Sequence, residues 1–248
     1  MKDLIIIDYN NLMHMSYYTS PYVNEYGKNI NAIIGFITRV ANLKSQLGLT
    51  DIVFCADLNS ETFRHKLYKK YKGNRKEKPD DLIFQIDMGK EVLKALGYPV
   101  LSHPDYEADD IIGMLCNYYR DKSTNCIIIS NDKDLYQLLE PHTSILTPRG
   151  VHMNREEFYD RYRMMPDIWI DYKILVGDPG DNIPGVSKIG EVTALKLLAK
   201  FHTLEKIIKN IDRMNPAIAE RLRSSLDKFD LVRKLVTIET DQDRKSVV

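Results

Sequence analysis

The sequence predicts an α/β fold, a parallel sheet covered by helices on both faces, followed by an α-helical C-terminal third. Three observations carry this. Leu4-Ile5-Ile6-Ile7, Ile52-Val53-Phe54-Cys55-Ala56 and Cys126-Ile127-Ile128-Ile129-Ser130 are short β-branched or apolar runs. Strands buried on both faces need such runs. Apolar residues at helical spacing lie between the runs, and after about Asp167 the strand signals stop.

In chain order, the first run ends in Asp8, and Ile33, Ile37 and Val40 then mark a helix. The second run ends in Asp57 and is followed by a helix marked by Leu82, Ile86, Leu93 and Leu96, closed by Gly97. Glu107-Ala108-Asp109-Asp110 opens a third helix, carried by Ile111, Leu115 and Tyr118. The third run ends in Asn131-Asp132, with Asp134 close behind. Ligands of open α/β sheets bind outside the carboxyl ends of the strands. The strand-end aspartates are therefore expected to share one cleft. Further helices are expected over residues 169–176, 192–201, 204–211, 216–229 and 231–238.

A chain of 248 residues makes one large domain or two small ones sharing an interface. The expected division is an α/β core over 1–166 and a helical region over 167–248. Charged residues are 28% and hydrophobic residues 44%, ordinary for a globular chain. Thirty-five basic residues balance thirty-five acidic ones. That excludes a histone-like coat and an acidic solvating chain, but it says nothing of local fields. Cys55, Cys116 and Cys126 are odd in number, form no C-x-x-C pair and sit in apolar runs. A disulfide framework or zinc site is not expected. Residues 1–7 do not read as a signal peptide, and no stretch approaches the ~18 apolar residues of a membrane span. A cytoplasmic protein is the expectation.

Nine acids stand at expected element ends: Asp8, Asp57, Glu107, Asp109, Asp110, Asp132, Asp134, Asp178 and Asp181. Acids at a helix start also serve as caps and dipole partners, an ordinary explanation for Asp109 and Asp110 alone. In one pocket, nine carboxylates raise each other's pKa values and burial adds to the cost. Hard divalent cations with oxygen ligands are the natural remedy. Two such ions can activate a water and stabilise a leaving oxygen in phosphodiester cleavage.

From Ser60 to Lys78, eight basic residues face two glutamates, a local charge of +6, with Phe63, Tyr68 and Tyr71 interleaved. Basic groups engage phosphates and aromatics stack on unpaired bases. The segment is expected to project over the acidic cleft. Ile183 to Gly190 forms a glycine-bracketed turn before an amphipathic helix. It resembles a helix–hairpin–helix, whose backbone contacts position a duplex without reading it.

Five blocks together resemble the 5′-nuclease (flap endonuclease) family, which includes bacteriophage 5′-exonucleases and the nuclease domain of bacterial DNA polymerase I. They are Ile7-Asp8 with Asn11-Leu12; Phe63-Arg64 through Tyr71-Lys72-Gly73-Asn74-Arg75; Tyr106 to Asp110; Ser130 to Leu135; and Gly177 to Val186. The resemblance runs from about Leu4 to near Asp241. It implies a PIN-like α/β core, a helical arch at about 60–80 and a C-terminal helix–three-turn–helix with the hairpin at 183–190. It implies a metal pocket of Asp8, Asp57, Glu107, Asp109, Asp110, Asp132 and Asp134, with Asp178 and Asp181 completing a second site. Lys72 is then the lysine at the arch base, with Arg75 and Arg64 as phosphate contacts. Tyr71, Lys69 and Lys70 would touch DNA, and Gly185, Val186, Lys188 and Gly190 would hold the duplex. Two Mg²⁺ ions, replaceable by Mn²⁺, and a K⁺ at the hairpin are the implied cofactors. Branched, flapped or 5′-ended DNA is the implied partner of a monomer in a bacterial or phage-infected cytoplasm. Pro179 and Gly180 stand between Asp178 and Asp181, where relatives often carry other residues. Pro179 fixes its own φ and Gly180 loosens the turn, and the spacing between the two carboxylates is expected to be kept. Residues 241–248 show no sliding-clamp peptide. A PIN-type ribonuclease and a catalytically inactive branched-DNA-binding protein are the alternatives.

Overall fold

The computed structural model describes residues 2–19, 22–48, 51–58 and 60–241, with the side chains of 46 and 47 excepted. Residues 242–248, most of the tail read as lacking a clamp peptide, lie outside them.

The first half alternates strands and helices: β1 (Lys2–Asp8), α1 (Tyr9–Thr19), α2 (Asn31–Leu47), β2 (Ile52–Cys55), α3 (Phe63–Leu67), α4 (Asp80–Ala95), β3 (Val100–Leu101), α5 (Ala108–Tyr119) and β4 (Thr124–Ile129). Then follow β5 (Thr143–Leu146), β6 (His152–Met153), α6 (Arg155–Tyr162) and α7 (Trp169–Val176). The sheet order is β3-β2-β1-β4-β5-β6. Every pairing is parallel except that of β5 with β6.

The continuous apolar runs exist because each strand feeds two cores. Side chains alternate across a strand. Ile6, Val53 and Ile128 therefore enter one core with α5 and the C-terminal helices. Ile5, Ile7, Ile52, Phe54 and Ile129 enter another, with Leu12, Phe36 and Leu82 from α1, α2 and α4. The register sets Ile7 opposite Phe54 on one side and Ile129 on the other. Asp8 thus ends the central strand with the ends of β2 and β4 beside it.

The C-terminal part continues with a two-residue ladder, β7 (Gly177–Asp178) paired antiparallel with β8 (Ile183–Pro184), so strand structure does not stop at 167. Then come α8 (Glu191–Phe201), α9 (Leu204–Lys209), α10 (Pro216–Arg223) and α11 (Phe229–Val236). Their apolar faces join the sheet's second core instead of forming a separate one. The helix expected over 216–229 is broken after Arg223, and a short 3-10 turn, Leu226–Lys228, leads into α11. α1, β5, β6 and α6 carried no clear sequence signal. Ile37 and Leu96, read as helix core markers, are exposed.

The basic segment differs most from expectation. It is a five-residue helix, α3, followed by a run of turns over 69–75, with Pro79 at the N-cap of α4. It lies down on the fold. The Lys72 N–H donates to the Asp181 carbonyl at 2.9 Å, Asn74 Nδ2 to the Pro179 carbonyl at 2.7 Å, and Asn182 Nδ2 to the Lys70 carbonyl at 2.8 Å. These bonds sew it to the loop that carries Asp178 and Asp181.

Candidate active site

Because β2, β1 and β4 are adjacent and parallel, their C-terminal ends form one edge. Asp8 is the last residue of β1. Its Oδ1 accepts the Asn11 N–H at 3.1 Å and its Oδ2 the Ser130 hydroxyl at 2.8 Å. Burial, reinforced by Asp57, pushes its pKa up to about 7. Asp57 follows β2 and accepts the Ala108 N–H at 2.8 Å, which ties that strand end to the start of α5. Asp109, in the first turn of α5, is raised well above the usual carboxylate range by burial and by Asp110. Asp132 follows β4 and accepts the Asp134 N–H at 2.8 Å. Burial raises it as well. None of these four forms an ion pair among the described residues.

The other five acids are held by protein cations. Glu107 accepts Lys72 Nζ at 2.7 Å and the Tyr71 hydroxyl at 2.8 Å. Burial pushes its pKa up, but Lys72 and Arg64 outweigh this and hold it below the usual range. Asp181 pairs with Arg75, with Lys72 Nζ at 4.0 Å. Asp134 and Asp178 share Lys173, at 2.5 and 2.6 Å. Burial, then Asp132, lifts Asp134 to about 6. Burial also raises Asp178, yet Lys173 and backbone N–H bonds bring it below the usual value.

Asp110 and Arg64 differ from their sequence reading. Arg64 is 1% exposed. Its guanidinium grips Asp110 at 2.6 and 2.7 Å, lies 3.5 Å from Glu107 and donates to the Leu235 and Thr237 carbonyls at 2.9 and 2.8 Å. With its donors committed inside the protein, Arg64 has none to offer a phosphate. Asp110 is fully buried, and its oxygens also accept the Glu107 and Glu239 N–H groups. It is an internal anchor here, with no oxygen turned to the cleft. Tyr71 is buried with its hydroxyl on Glu107, so its ring offers no stacking face.

Lys69, Lys70 and Lys188 are exposed. Gly185 packs against backbone, since a methyl there would run into Val176 and Gly177. Val186 is buried and its N–H donates to the Leu175 carbonyl at 2.8 Å. Both shape the hairpin from within. Gly190 is exposed, with open space where a Cβ would stand, and forms the N-cap of α8. Lys173 was missed, although a lysine inside the apolar run of α7, five residues before Asp178, was a readable signal. Lys78 was also left unassigned. It is half-buried, makes no hydrogen bond or ion pair among the described residues, and is lowered by burial.

Among the described residues no three acids close on one point as a ready-made cage. Magnesium-type sites do not require one, because such ions bind through one or two carboxylates and keep several waters. The four acids without cations offer oxygen donors only, and the raised pKa values of Asp8, Asp109 and Asp132 mark negative charge that the protein leaves unbalanced. This donor set fits a hard divalent cation.

A pH dependence follows. Asp8 and Asp134 titrate higher folded, at about 7 and about 6, than at their ordinary value of 3.8. Folding takes up protons between the two values, so in EDTA stability should fall as pH rises from about 4 through 7. Asp8 accounts for about 4 kcal/mol at most. The depressed Glu107 and Asp178 act oppositely, losing their contribution only as pH falls below the usual carboxylate range. Urea midpoints in EDTA should decline between pH 5 and 8 and recover with a divalent salt. A flat profile would mean that burial does not hold Asp8 and Asp134 above their ordinary value in the folded protein.

Residues 3–163 match the model of the 5′-3′ exonuclease N-terminal resolvase-like domain, and residues 164–246 that of the 5′-3′ exonuclease C-terminal SAM fold. The thermostable DNA polymerase I of Thermus thermophilus is 32% identical over 240 residues, 96% of this chain but 29% of the polymerase. The DNA polymerase I of Mycobacterium bovis is 34% identical over 246 residues, 96% of this chain and 27% of that protein. The chain thus spans less than a third of these relatives. In fold it is similar to the T5 D15 protein co-crystallised with metal ions, with a TM-score of 0.79 at 20% identity, covering 95% of this chain and 89% of that one.

Proposed function

The chain belongs to the 5′-3′ exonuclease family, and from that premise we propose that it is a structure-specific, divalent-metal-dependent 5′-3′ exonuclease and 5′ flap endonuclease acting on DNA in replication or repair. The observation that carries this reading is the division of the acids. Asp8, Asp57, Asp109 and Asp132 stand without cations at the ends of three adjacent parallel strands and the start of α5, and the +6 segment lies beside them.

Mg²⁺, or Mn²⁺ in its place, would be held by these four acids, with Asp134, Asp178 and Asp181 toward a second ion. When bound, such ions supply Lewis-acid charge for the attacking water and the leaving oxygen. The chain's own groups do the rest. Lys72 is aimed by Glu107, so that its ammonium meets charge developing on the scissile phosphate. Arg75, half-exposed on Asp181, can reach a neighbouring phosphate. Lys69 and Lys70 attract the backbone. Lys188, Gly190 and the N–H groups opening α8 suit the phosphates of the duplex, with K⁺ on the hairpin carbonyls. The products would carry 5′-phosphate and 3′-hydroxyl ends. A monomer in the cytoplasm suits this role, and among the described residues no helix is long and apolar enough to cross a membrane.

The test is digestion of a 5′-labelled double-flap DNA with Mg²⁺, Mn²⁺, Ca²⁺ or EDTA. Cleavage is expected with the first two only, and product lengths separate flap cutting from end trimming. Preference for a matched RNA flap would favour a ribonuclease instead. Lys72→Ala should lower the single-turnover rate by about 100-fold or more while DNA affinity in Ca²⁺ changes far less. An unchanged rate would remove Lys72 from the chemistry.

A further inference from the structure

We propose that Lys173 is a tethered cation, holding the Asp134–Asp178 end of the acidic cluster together in the ion-free protein, and that a divalent ion settling there must displace it. The inference rests on the reading of these acids as ligands and adds a residue that the reading does not contain.

Lys173 sits in the last turn of α7 between buried Tyr172 and Ile174, and is itself 9% exposed. Its Nζ lies 2.5 Å from Asp134 Oδ1 and 2.6 Å from Asp178 Oδ2. One acid belongs to the turn after β4 and the other to the turn after α7. The ammonium therefore joins two segments that their own charges would drive apart.

The decisive detail is which oxygen it takes. Asp178 Oδ1 accepts the Gly180 N–H at 2.8 Å and the Asp181 N–H at 3.3 Å, because Asp178 caps the short turn Pro179–Asp181. Oδ2 alone remains to face an ion, and Lys173 sits on it. An ammonium and a divalent ion cannot share that oxygen, since both charges are positive and the site is largely screened from water. Nothing similar blocks Asp8, Asp57, Asp109 or Asp132, which have no ion pair among the described residues. A lysine suits the role better than an arginine would, because its flexible stem can swing a compact charge aside.

The test titrates Mn²⁺, read as free ion by electron paramagnetic resonance, into the wild type, Lys173→Met and Asp178→Asn, with melting temperatures in EDTA alongside. Lys173→Met should melt lower in EDTA, gain more from Mn²⁺ than the wild type does, and bind Mn²⁺ more tightly by about 5- to 100-fold. Asp178→Asn should bind it more weakly. Unchanged or weaker binding in Lys173→Met, with Asp178→Asn weakened, would overturn the displacement. Unchanged binding in Asp178→Asn would overturn the ligand reading and the proposal with it. In the wild type, acetylation of Lys173 by a water-soluble ester, read by mass spectrometry, should rise when Ca²⁺ replaces EDTA. The same labelling in both would count against displacement whatever the variants do.

Discussion

Arg64→Met should cost about 3–5 kcal/mol of stability, the loss expected when one partner of a buried ion pair is removed, and leave the protein close to its folding limit. The side chain joins three parts of the fold. Its own helix α3 begins at Phe63, its carboxylate partner Asp110 lies in the first turn of α5, and its two carbonyl acceptors, Leu235 and Thr237, are at the end of α11. Asp110 also accepts the Glu239 N–H at 2.8 Å, so losing the arginine strands a buried carboxylate and loosens the chain beyond α11. Arg64→Lys should rescue little, because one ammonium cannot replace a planar fork that pairs bidentately and donates on both flanks. Urea unfolding in EDTA reads the effect without reference to catalysis. A variant of wild-type stability with weakened DNA binding would return Arg64 to the phosphate-contact role that its sequence neighbourhood suggests.

Position was legible in the sequence where burial was not. A β-branched run ending in an acid is enough to place Asp8, Asp57 and Asp132 at one sheet edge, since parallel strands must align and their apolar side chains leave few alternatives. The basic character of 60–78 was equally plain. What composition could not report is where each charge points. Arg64, Lys69 and Lys72 are alike in a charge count, yet one is buried, one is exposed and one is turned onto Glu107. The resemblance sets Gly185 against the duplex, whereas the space a Cβ would take there is filled by the backbone of Val176. α1 escaped notice because Tyr9-Asn10-Asn11-Leu12-Met13-His14 buries tyrosine and asparagine among its apolar residues, through contacts no periodicity scan sees. Tyr9, for one, sends its hydroxyl 77 residues along the chain to the Ile86 carbonyl. Lys173 shows the same limit: its partners are 39 residues before it and five after it.

The net charge of zero also changes meaning. It is the sum of acids paired with Lys173 and with Arg64, Lys72 and Arg75 of the basic segment, acids that the fold leaves open, and exposed lysines of that segment such as Lys69 and Lys70. Only the last two can be felt by a polyanion, and they lie next to each other.

Asp132→Ala should therefore abolish cleavage, by about a thousandfold or more in single turnover, equivalent to about 4 kcal/mol in the barrier, while DNA binding in Ca²⁺ or EDTA persists. Asp132 is chosen over Asp110 because the structure separates them. Asp110 is spent on Arg64, whereas Asp132 has no ion pair among the described residues, sits at the end of β4 and is raised by burial. Removing it should also relieve the repulsion it shares with Asp134. The variant should then be as stable as the wild type or more so in EDTA at pH 8, the pattern of a residue kept for chemistry at the expense of the fold. The two measurements together discriminate. Loss of activity with loss of stability would make Asp132 another internal anchor like Asp110. Full activity would remove it from the metal site. Only lost turnover with retained stability and retained DNA binding fits a carboxylate whose charge is reserved for a bound cation.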